Sequence, residues 1–457
     1  MKAWILNVIY FLFLLICFPV LIYRVVCHGK YRVGLCAKFF GIVIERDELI
    51  SGFCGLGGGG DLSGGCVAKK FVVWFHAVSV GEVRLLKPLL LLIRQRHPDW
   101  CCVISTTSRT GMDTAVKLYG SGWYLFYCPL DFSWAVSNVM RRLRPDILVL
   151  AEQELWPNLI DAAKRYSVKV AIINGRFSES GYRRYFWIRP FVSVMLRKVN
   201  LVAVQSETYA GWFRRLGASA DVVHVTGSMK FDGASFDRNN EETQRLRLLA
   251  GLSLDDVVFV AGSTQSPEEL FAVECYKRLR DEFPRLRLII VPRHTERFEE
   301  VAKMLDAASV NWERRSSLVD VDSNADGCVG KFGESRVLLV DKMGELWAWW
   351  GVASIAFVGG SMGTRGGQNM IEPAAYGAAV CFGPNTKNFA DIVDLLLGSN
   401  CARVVRDCGE MENFVRNCLE SESFKKELGQ NGQNLVKKQL GATERTLNLL
   451  QNLIYRR

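Results

Sequence analysis

The chain reads as a two-domain α/β protein built on doubly wound parallel sheets, and three observations lead there. Strand-like apolar runs alternate with stretches of helical spacing from Phe71 to Phe382, the pattern of parallel strands joined by right-handed crossovers. The runs fall into two series that meet near Gly217–Asp221. At 457 residues the chain exceeds what one core holds, so two domains and an appendage are expected. The expected boundaries are 1–30 for the appendage, 31–220 for one domain and 221–457 for the other. A ligand cleft is expected between the two domains.

The first series is Phe71–Phe75, Cys102–Ser105, Asp146–Leu150, Val168–Ile173 and Leu201–Val204. The second is Val222–Val225, Val257–Ala261, Leu286–Val291, Val337–Val340, Ile355–Val358 and Ala379–Phe382. After the first run, Val83, Leu86, Leu90 and Ile93 recur at helical spacing.

Ahead of both series, Ala3–Tyr23 carries no charge and is dense in Ile, Leu, Phe and Val. Its length suits one helix across the roughly 30 Å apolar core of a bilayer. Asn7 and Pro19 interrupt it, and it lacks the small-residue cleavage site of a signal peptide. Arg24, Lys30, Arg32 and Lys38 outnumber Lys2, which puts the body on the cytoplasmic side of a single-pass anchor. A helix lying in one leaflet is the alternative.

The net charge of +10 suggests an anionic partner: a nucleotide, a nucleic acid or a membrane surface. The basic residues follow no RNA-binding module, so no nucleic-acid partner is expected. Fourteen cysteines without CxxC spacing read as reduced structural thiols. Gly55, Gly57 and Gly60 make a formal GxGxxG, but it precedes the first strand, so residues 51–66 read as a flexible insertion. Asp320–Glu334 mimics a calcium loop, yet Gly333 stands where a bidentate Glu is required, so it reads as a polar loop.

Residues with chemistry cluster at the C-terminal ends of the strands, where open α/β sheets bind ligands. Ser79-Val80-Gly81-Glu82 is either a capping box or a site for a general base, Glu82, whose pKa burial would raise. Glu152 follows another strand and is a candidate for orienting an acceptor or a partner cation, whereas Glu154 reads as a solvated loop acid. Lys230 either neutralises a donor's charge or pairs with Asp232. In the second series, Arg293 after Pro292 is placed to grip a phosphate. Ser266, Pro267 and Glu269 resemble the start of a helix. Gly359-Gly360-Ser361 reads as a backbone anion pocket, and Asn369 with Glu372 as a capping pair or a ribose contact. The tryptophans Trp347, Trp349 and Trp350 read as core. The basic-aromatic segment Arg176–Lys198 suits anionic lipid headgroups or a solvated helix face over buried aromatics.

Six segments taken in order resemble the bacterial Kdo (3-deoxy-manno-octulosonic acid) transferase family: HAVSVGE (76–82), AEQELWPN (151–158), GSMKFD (227–232), PRHTERF (292–298), MGEL (343–346) and FVGGS…GGQNMIEPAA (357–375). The resemblance extends from the N-terminal segment to the last helices. It implies a GT-B fold and an inverting glycosyltransferase that moves Kdo from CMP-Kdo to lipid A precursor (lipid IVA), with one or several units added. It implies no cofactor and no required metal, and a place on the bacterial inner membrane among anionic lipids. By the same resemblance Glu82 is the proton acceptor, and Glu152 and Lys230 stabilise the transition state. Pro292, Arg293, Met343, Gly344, Glu345, Asn369, Met370, Ile371 and Glu372 contact CMP. The insertion at 51–66, the longer loop at 320–335 and Gln368 in place of a common His depart from the family. Other GT-B nucleotide-sugar transferases or epimerases, and a membrane-bound nucleotide- or nucleic-acid-binding protein without catalysis, are the alternatives.

Overall fold

The computed structural model describes residues 3–28, 34–54, 71–120, 122–318 and 336–455. The chain divides into two compact units. One runs up to Asp232 and takes the chain back from Leu440 onward; the other comprises Gly233–Gln439. The glycine motif at 55–60 and the calcium-like loop at 320–334 lie outside the described residues.

The first unit is built on β1 (Phe71–His76), β2 (Trp100–Thr106), β3 (Tyr124–Tyr127), β4 (Ile147–Ala151), β5 (Lys169–Gly175), β6 (Leu201–Val204) and β7 (Val223–Val225). They form one sheet in the order β3-β2-β1-β4-β5-β6-β7. All six pairings are parallel. β1 shows why its sequence is apolar throughout: Val72 and Trp74 enter one core cluster, Val73 and Phe75 the other. A parallel strand with both faces covered has no polar side, and the period of two is visible only in which core each residue joins.

The second unit repeats the plan with β8 (Val257–Thr264), β9 (Leu286–Pro292), β10 (Trp312–Arg314), β11 (Val337–Leu339), β12 (Ile355–Val358), β13 (Ala379–Phe382) and β14 (Ala402–Val404). Its order is β10-β11-β9-β8-β12-β13-β14, again parallel throughout. In each sheet the strand order reverses beside the unit's first strand, at β1/β4 and at β8/β12. These are the topological switch points where a doubly wound sheet opens a crevice.

Three expectations are corrected here. The boundary is not at 220/221: Val223–Val225 pairs with β6 and is the last strand of the first sheet, so Lys230 belongs to the first unit. The C-terminal helix Ala442–Tyr455 also returns to that unit, where Ala442, Leu447 and Leu450 join the cluster containing Val73 and Phe75. Its entry is fixed by Asp232, which accepts from the Gly441 N–H at 2.7 Å and the Thr443 N–H at 2.5 Å. Asp232 is thus a helix-entry acceptor and not the partner of Lys230. Asp232→Ala is expected to lower stability by about 1 kcal/mol, the usual worth of such a cap, read as a shifted urea midpoint.

The third correction concerns the N-terminus. A helix does form over Ala3–His28, with Pro19 inside it. Among the described residues, however, no helix is long and apolar enough to cross a membrane. Asn7, which interrupts the apolar run in sequence, docks the helix: it donates to Ser133 Oγ at 2.6 Å and accepts from the Ser133 N–H at 3.0 Å. One turn on, the Tyr10 hydroxyl donates to Asp131 Oδ2 at 3.0 Å. A residue with such partners on a folded unit is not surrounded by lipid, so the spanning anchor is not supported.

Candidate active site

At the β1/β4 switch point of the first unit, the sequence Ser79–Glu82 ends the strand and opens the helix Val80–Arg96. Ser79 has extended backbone and its Oγ accepts from the Glu82 N–H. The Glu82 carboxylate returns to this turn, accepting from Ser79 Oγ at 2.7 Å and from the Val78 N–H at 2.8 Å. The capping-box reading is therefore correct, with Val78 rather than Ser79 supplying the backbone donor. It does not exclude chemistry. Glu82 is buried, and burial pushes its carboxyl up to about 7 against the pull of those two hydrogen bonds, helped by the charges of Glu152 and Glu154. A carboxyl poised there takes protons at neutral pH.

Glu152 follows β4 in a left-handed conformation (φ 58°) uncommon for glutamate. Its Oε2 lies 3.1 Å from Arg176 Nε and its Oε1 3.9 Å from Lys230 Nζ. Glu82, Glu152 and Lys230, far apart in sequence, thus belong to one charged group in the first unit. Two of its members were not anticipated. Arg176 follows β5 and was legible only as part of a basic-aromatic segment, although its place after a strand was the signal that marked Glu152. Glu154 is not a solvated acid: burial raises its pKa, and it accepts from Trp156 Nε1 at 2.8 Å.

Asn174 explains how Lys230 is held. It sits at the end of β5 with φ 53°, a conformation asparagine tolerates better than most residues. Its Oδ1 accepts from the Met229 N–H at 3.0 Å, pinning the residue next to Lys230. Behind the group, His76 is fully buried with Nδ1 2.9 Å from Ser105 Oγ. Burial lowers its pKa to about 4, so it is neutral and takes no part as a cation.

The second unit treats its expected residues differently. Arg293 follows β9, and its N–H donates to the Thr264 carbonyl at 3.1 Å, tying the ends of β9 and β8 together. Met343 is 60% exposed, and Gly344 stands in open space with φ 96°. Pro292, Met370 and Ile371 are buried. Asn369 accepts from the Ile371 N–H at 3.1 Å and donates to Glu372 Oε1 at 2.9 Å, so the two side chains pair, although the helix Ile371–Ala375 has Met370 at its N-cap and no side-chain cap. Trp349 and Trp350 are core residues, as read, while Trp347 is partly exposed.

In this unit Glu345 has an internal partner, and two expectations, the open anion pocket and the Ser266 cap, fail. Glu345 forms a two-pronged ion pair with Arg315, Nε to Oε2 and Nη2 to Oε1 both at 3.0 Å, and Arg315 is 1% exposed. The Glu345 carboxylate is thus held by a buried guanidinium, a structural pairing. The anion pocket of Gly359-Gly360-Ser361 is also occupied from within. The Gly359 N–H donates to the Gly262 carbonyl, and those of Gly360 and Ser361 donate to the Glu268 carboxylate. Nor does Ser266 cap the next helix, which begins at Glu268 after Pro267. Among the described residues no group of His, Cys, Asp or Glu side chains is arranged to hold a metal ion.

A family profile described as 3-deoxy-D-manno-octulosonic-acid transferase (kdotransferase) matches residues 59–233, which include Glu82, Glu152, Arg176 and Lys230. A 3-deoxy-D-manno-octulosonic acid transferase of Haemophilus influenzae is 30% identical over 386 residues, 84% of this chain and 87% of the relative. One of Chlamydia muridarum is 30% identical over 466 residues, 99% of each chain. The crystal structure of a UDP-GlcNAc 2-epimerase from Neisseria meningitidis superposes with a TM-score of 0.56 at 12% identity, over 83% of this chain and 100% of that one. That likeness concerns the fold alone and agrees with a GT-B-like fold of two parallel-sheet units. With the sequence match running over most of both chains, the protein belongs to the 3-deoxy-D-manno-octulosonic acid transferase family and is a glycosyltransferase.

Proposed function

We propose that the chain moves Kdo from CMP-Kdo to lipid A precursor (lipid IVA) in lipopolysaccharide synthesis, by a single displacement with inversion. The observation that carries this reading is Glu82, buried at a switch point with its carboxyl poised at about 7. Glu82 accepts the proton of an acceptor hydroxyl as that oxygen bonds to the anomeric carbon of Kdo. The bond from that carbon to the phosphate oxygen of CMP breaks on the opposite face, and its electron pair leaves with CMP. Lys230 and Arg176 hold Glu152 between two cations, and this group offsets charge at the reacting sugar, itself a carboxylate. In the second unit Arg293 meets the leaving phosphate, and no metal takes part in the proposed step.

The place of action we propose is the surface of an anionic membrane, the cytoplasmic face of the bacterial inner membrane. Trp4, Phe11, Leu12, Phe13, Ile16 and Phe18 are exposed along the N-terminal helix, while Asn7 and Tyr10 face the first unit. A helix docked on one side and apolar on the other suits one leaflet. In the segment 176–198, Tyr182 and Tyr185 pack against the core, whereas Trp187 is 87% exposed among Arg183, Arg184 and Arg189. Aromatic and basic residues together favour the headgroup layer.

Arg176→Gln is expected to move the pH profile. Without Arg176, the Glu152 charge loses its nearer cation and keeps Lys230 at 3.9 Å, and Glu152 already raises the Glu82 carboxyl. Since the base works deprotonated, the acidic limb of kcat/KM shifts above pH 7 and the rate at neutral pH falls. Arg176→Lys restores part of the shift, and pH–rate profiles of the three proteins check it.

The reaction itself is tested by incubating the protein with lipid A precursor and CMP-Kdo and weighing the lipid product. A mass gain of one or more Kdo units supports the reading, and the number of units reports how many are added. Unchanged lipid with intact protein and donor sinks it.

A further inference from the structure

We propose that Glu268 is a positioning residue for the donor: its carboxylate fills the anion nest at the β8/β12 switch point, and this internal anion shapes the loops that receive the nucleotide. The inference rests on the CMP-Kdo reading above.

Glu268 is the first residue of the helix Glu268–Leu279 and is 1% exposed. Its Oε2 accepts from the Gln265 N–H at 2.8 Å and the Gly360 N–H at 2.7 Å. Its Oε1 accepts from Ser361 N–H at 2.8 Å and Met362 N–H at 2.9 Å. Four backbone donors on one carboxylate is the environment that a glycine-rich loop ordinarily offers to a phosphate. Here a residue about ninety positions earlier supplies the anion. The glycines serve this contact. A Cβ on Gly359 would lie 2.7 Å from Glu268 Oε2 and 2.6 Å from the Thr264 Cα, and Gly360 takes φ 66°.

The contact joins several strand ends. Gln265 belongs to the loop after β8, and Gly360–Met362 to the loop after β12. Ser361 continues the chain of bonds into the loop after β13, because its Oγ accepts from the Gly383 N–H at 2.8 Å and its carbonyl from the Asn385 N–H at 2.8 Å. On the other side, Thr264 receives the Arg293 N–H. Two consequences follow. The donor's phosphate is excluded from the nest, since its N–H groups are taken and a second anion would be repelled. The phosphate therefore depends on side chains such as Arg293, whose backbone is held by the same framework.

The test measures CMP binding to the full chain by calorimetry, with thermal unfolding alongside, for wild type, E268Q and E268A. In E268Q an amide N–H₂ confronts backbone donors, so CMP affinity is expected to fall by about tenfold or more. KM for CMP-Kdo should rise while kcat changes far less. E268A opens a hole of carboxylate size, and sodium formate, unlike sodium chloride at equal ionic strength, should restore both CMP affinity and unfolding temperature. Folded E268Q binding CMP within about twofold of wild type, or an E268A defect that formate leaves untouched, overturns the assignment. Should both variants fail to fold, E268D keeps the charge with shorter reach: an affinity between those of wild type and no binding supports the proposal, and wild-type affinity overturns it. Wild type that fails to bind CMP would instead defeat the donor reading, while formate-dependent stability of E268A would still report the nest.

Discussion

Glu82→Gln is expected to lower Kdo transfer by about 10²- to 10⁴-fold, the usual contribution of a general base, without unfolding the protein. The amide can keep the turn: its oxygen accepts from the Val78 N–H and its N–H₂ donates to Ser79 Oγ, the two groups that bind the carboxylate. What it loses is the ability to accept a proton. The sign of the pH effect follows from the direction of the shift. Burial raises the carboxyl to about 7, so in wild type the active, deprotonated form grows as pH rises through 7 and is lost below it. The variant should show residual activity without that limb. Near-full transfer by folded Glu82→Gln would reduce Glu82 to a helix cap.

Glu345→Ala is expected to destabilise the second unit by about 3–5 kcal/mol, because it removes the carboxylate that the buried guanidinium of Arg315 grips with two hydrogen bonds. Trp349 also loses its acceptor, as Nε1 lies 3.3 Å from Glu345 Oε2. Urea unfolding reads the loss, and the double variant Glu345→Ala with Arg315→Met should recover much of it, since a buried pair replaced by apolar side chains is often tolerated. The competing outcome is definite. Unchanged unfolding with weakened CMP binding would return Glu345 to the nucleotide-contact role that its family resemblance implies.

These two residues show what the sequence reveals and what it conceals. Patterns that close within a few residues were legible. The apolar runs became buried parallel strands, the Ser79–Glu82 box capped its helix, and Asn369 paired with Glu372. Relations that close through space were not. Nothing near Gly359–Ser361 announces that Glu268 fills their N–H groups, and nothing near Glu345 announces Arg315 thirty residues earlier. Both stretches carry the glycines and acids of a ligand site, and each had already found an internal partner.

The same limit governs the unit boundary. Val223–Val225 is three residues long, too short for periodicity to assign it to either sheet, and only its pairing with β6 does so. The return of Ala442–Tyr455 to the first unit is likewise a packing choice, made by Leu447 and Leu450 against β1 and its neighbours. The candidate active site was more legible than the loops of the second unit because its residues follow strand ends directly. Glu82, Glu152 and Lys230 were found in this way, and Arg176 obeys the same rule. The N-terminal run was apolar enough in sequence to suggest a spanning helix, but Asn7 and Tyr10 bind residues more than a hundred positions away.

The most direct test of the account is a donor trial with one acceptor. The protein is given lipid A precursor with either CMP-Kdo or UDP-N-acetylglucosamine, and lipid and nucleotide products are followed together by mass spectrometry. The expected products are Kdo-bearing lipid and equimolar CMP from the first donor, and neither glycosylated lipid nor epimerised sugar from the second. Epimerisation or transfer with the UDP-sugar, and none with CMP-Kdo, would contradict it.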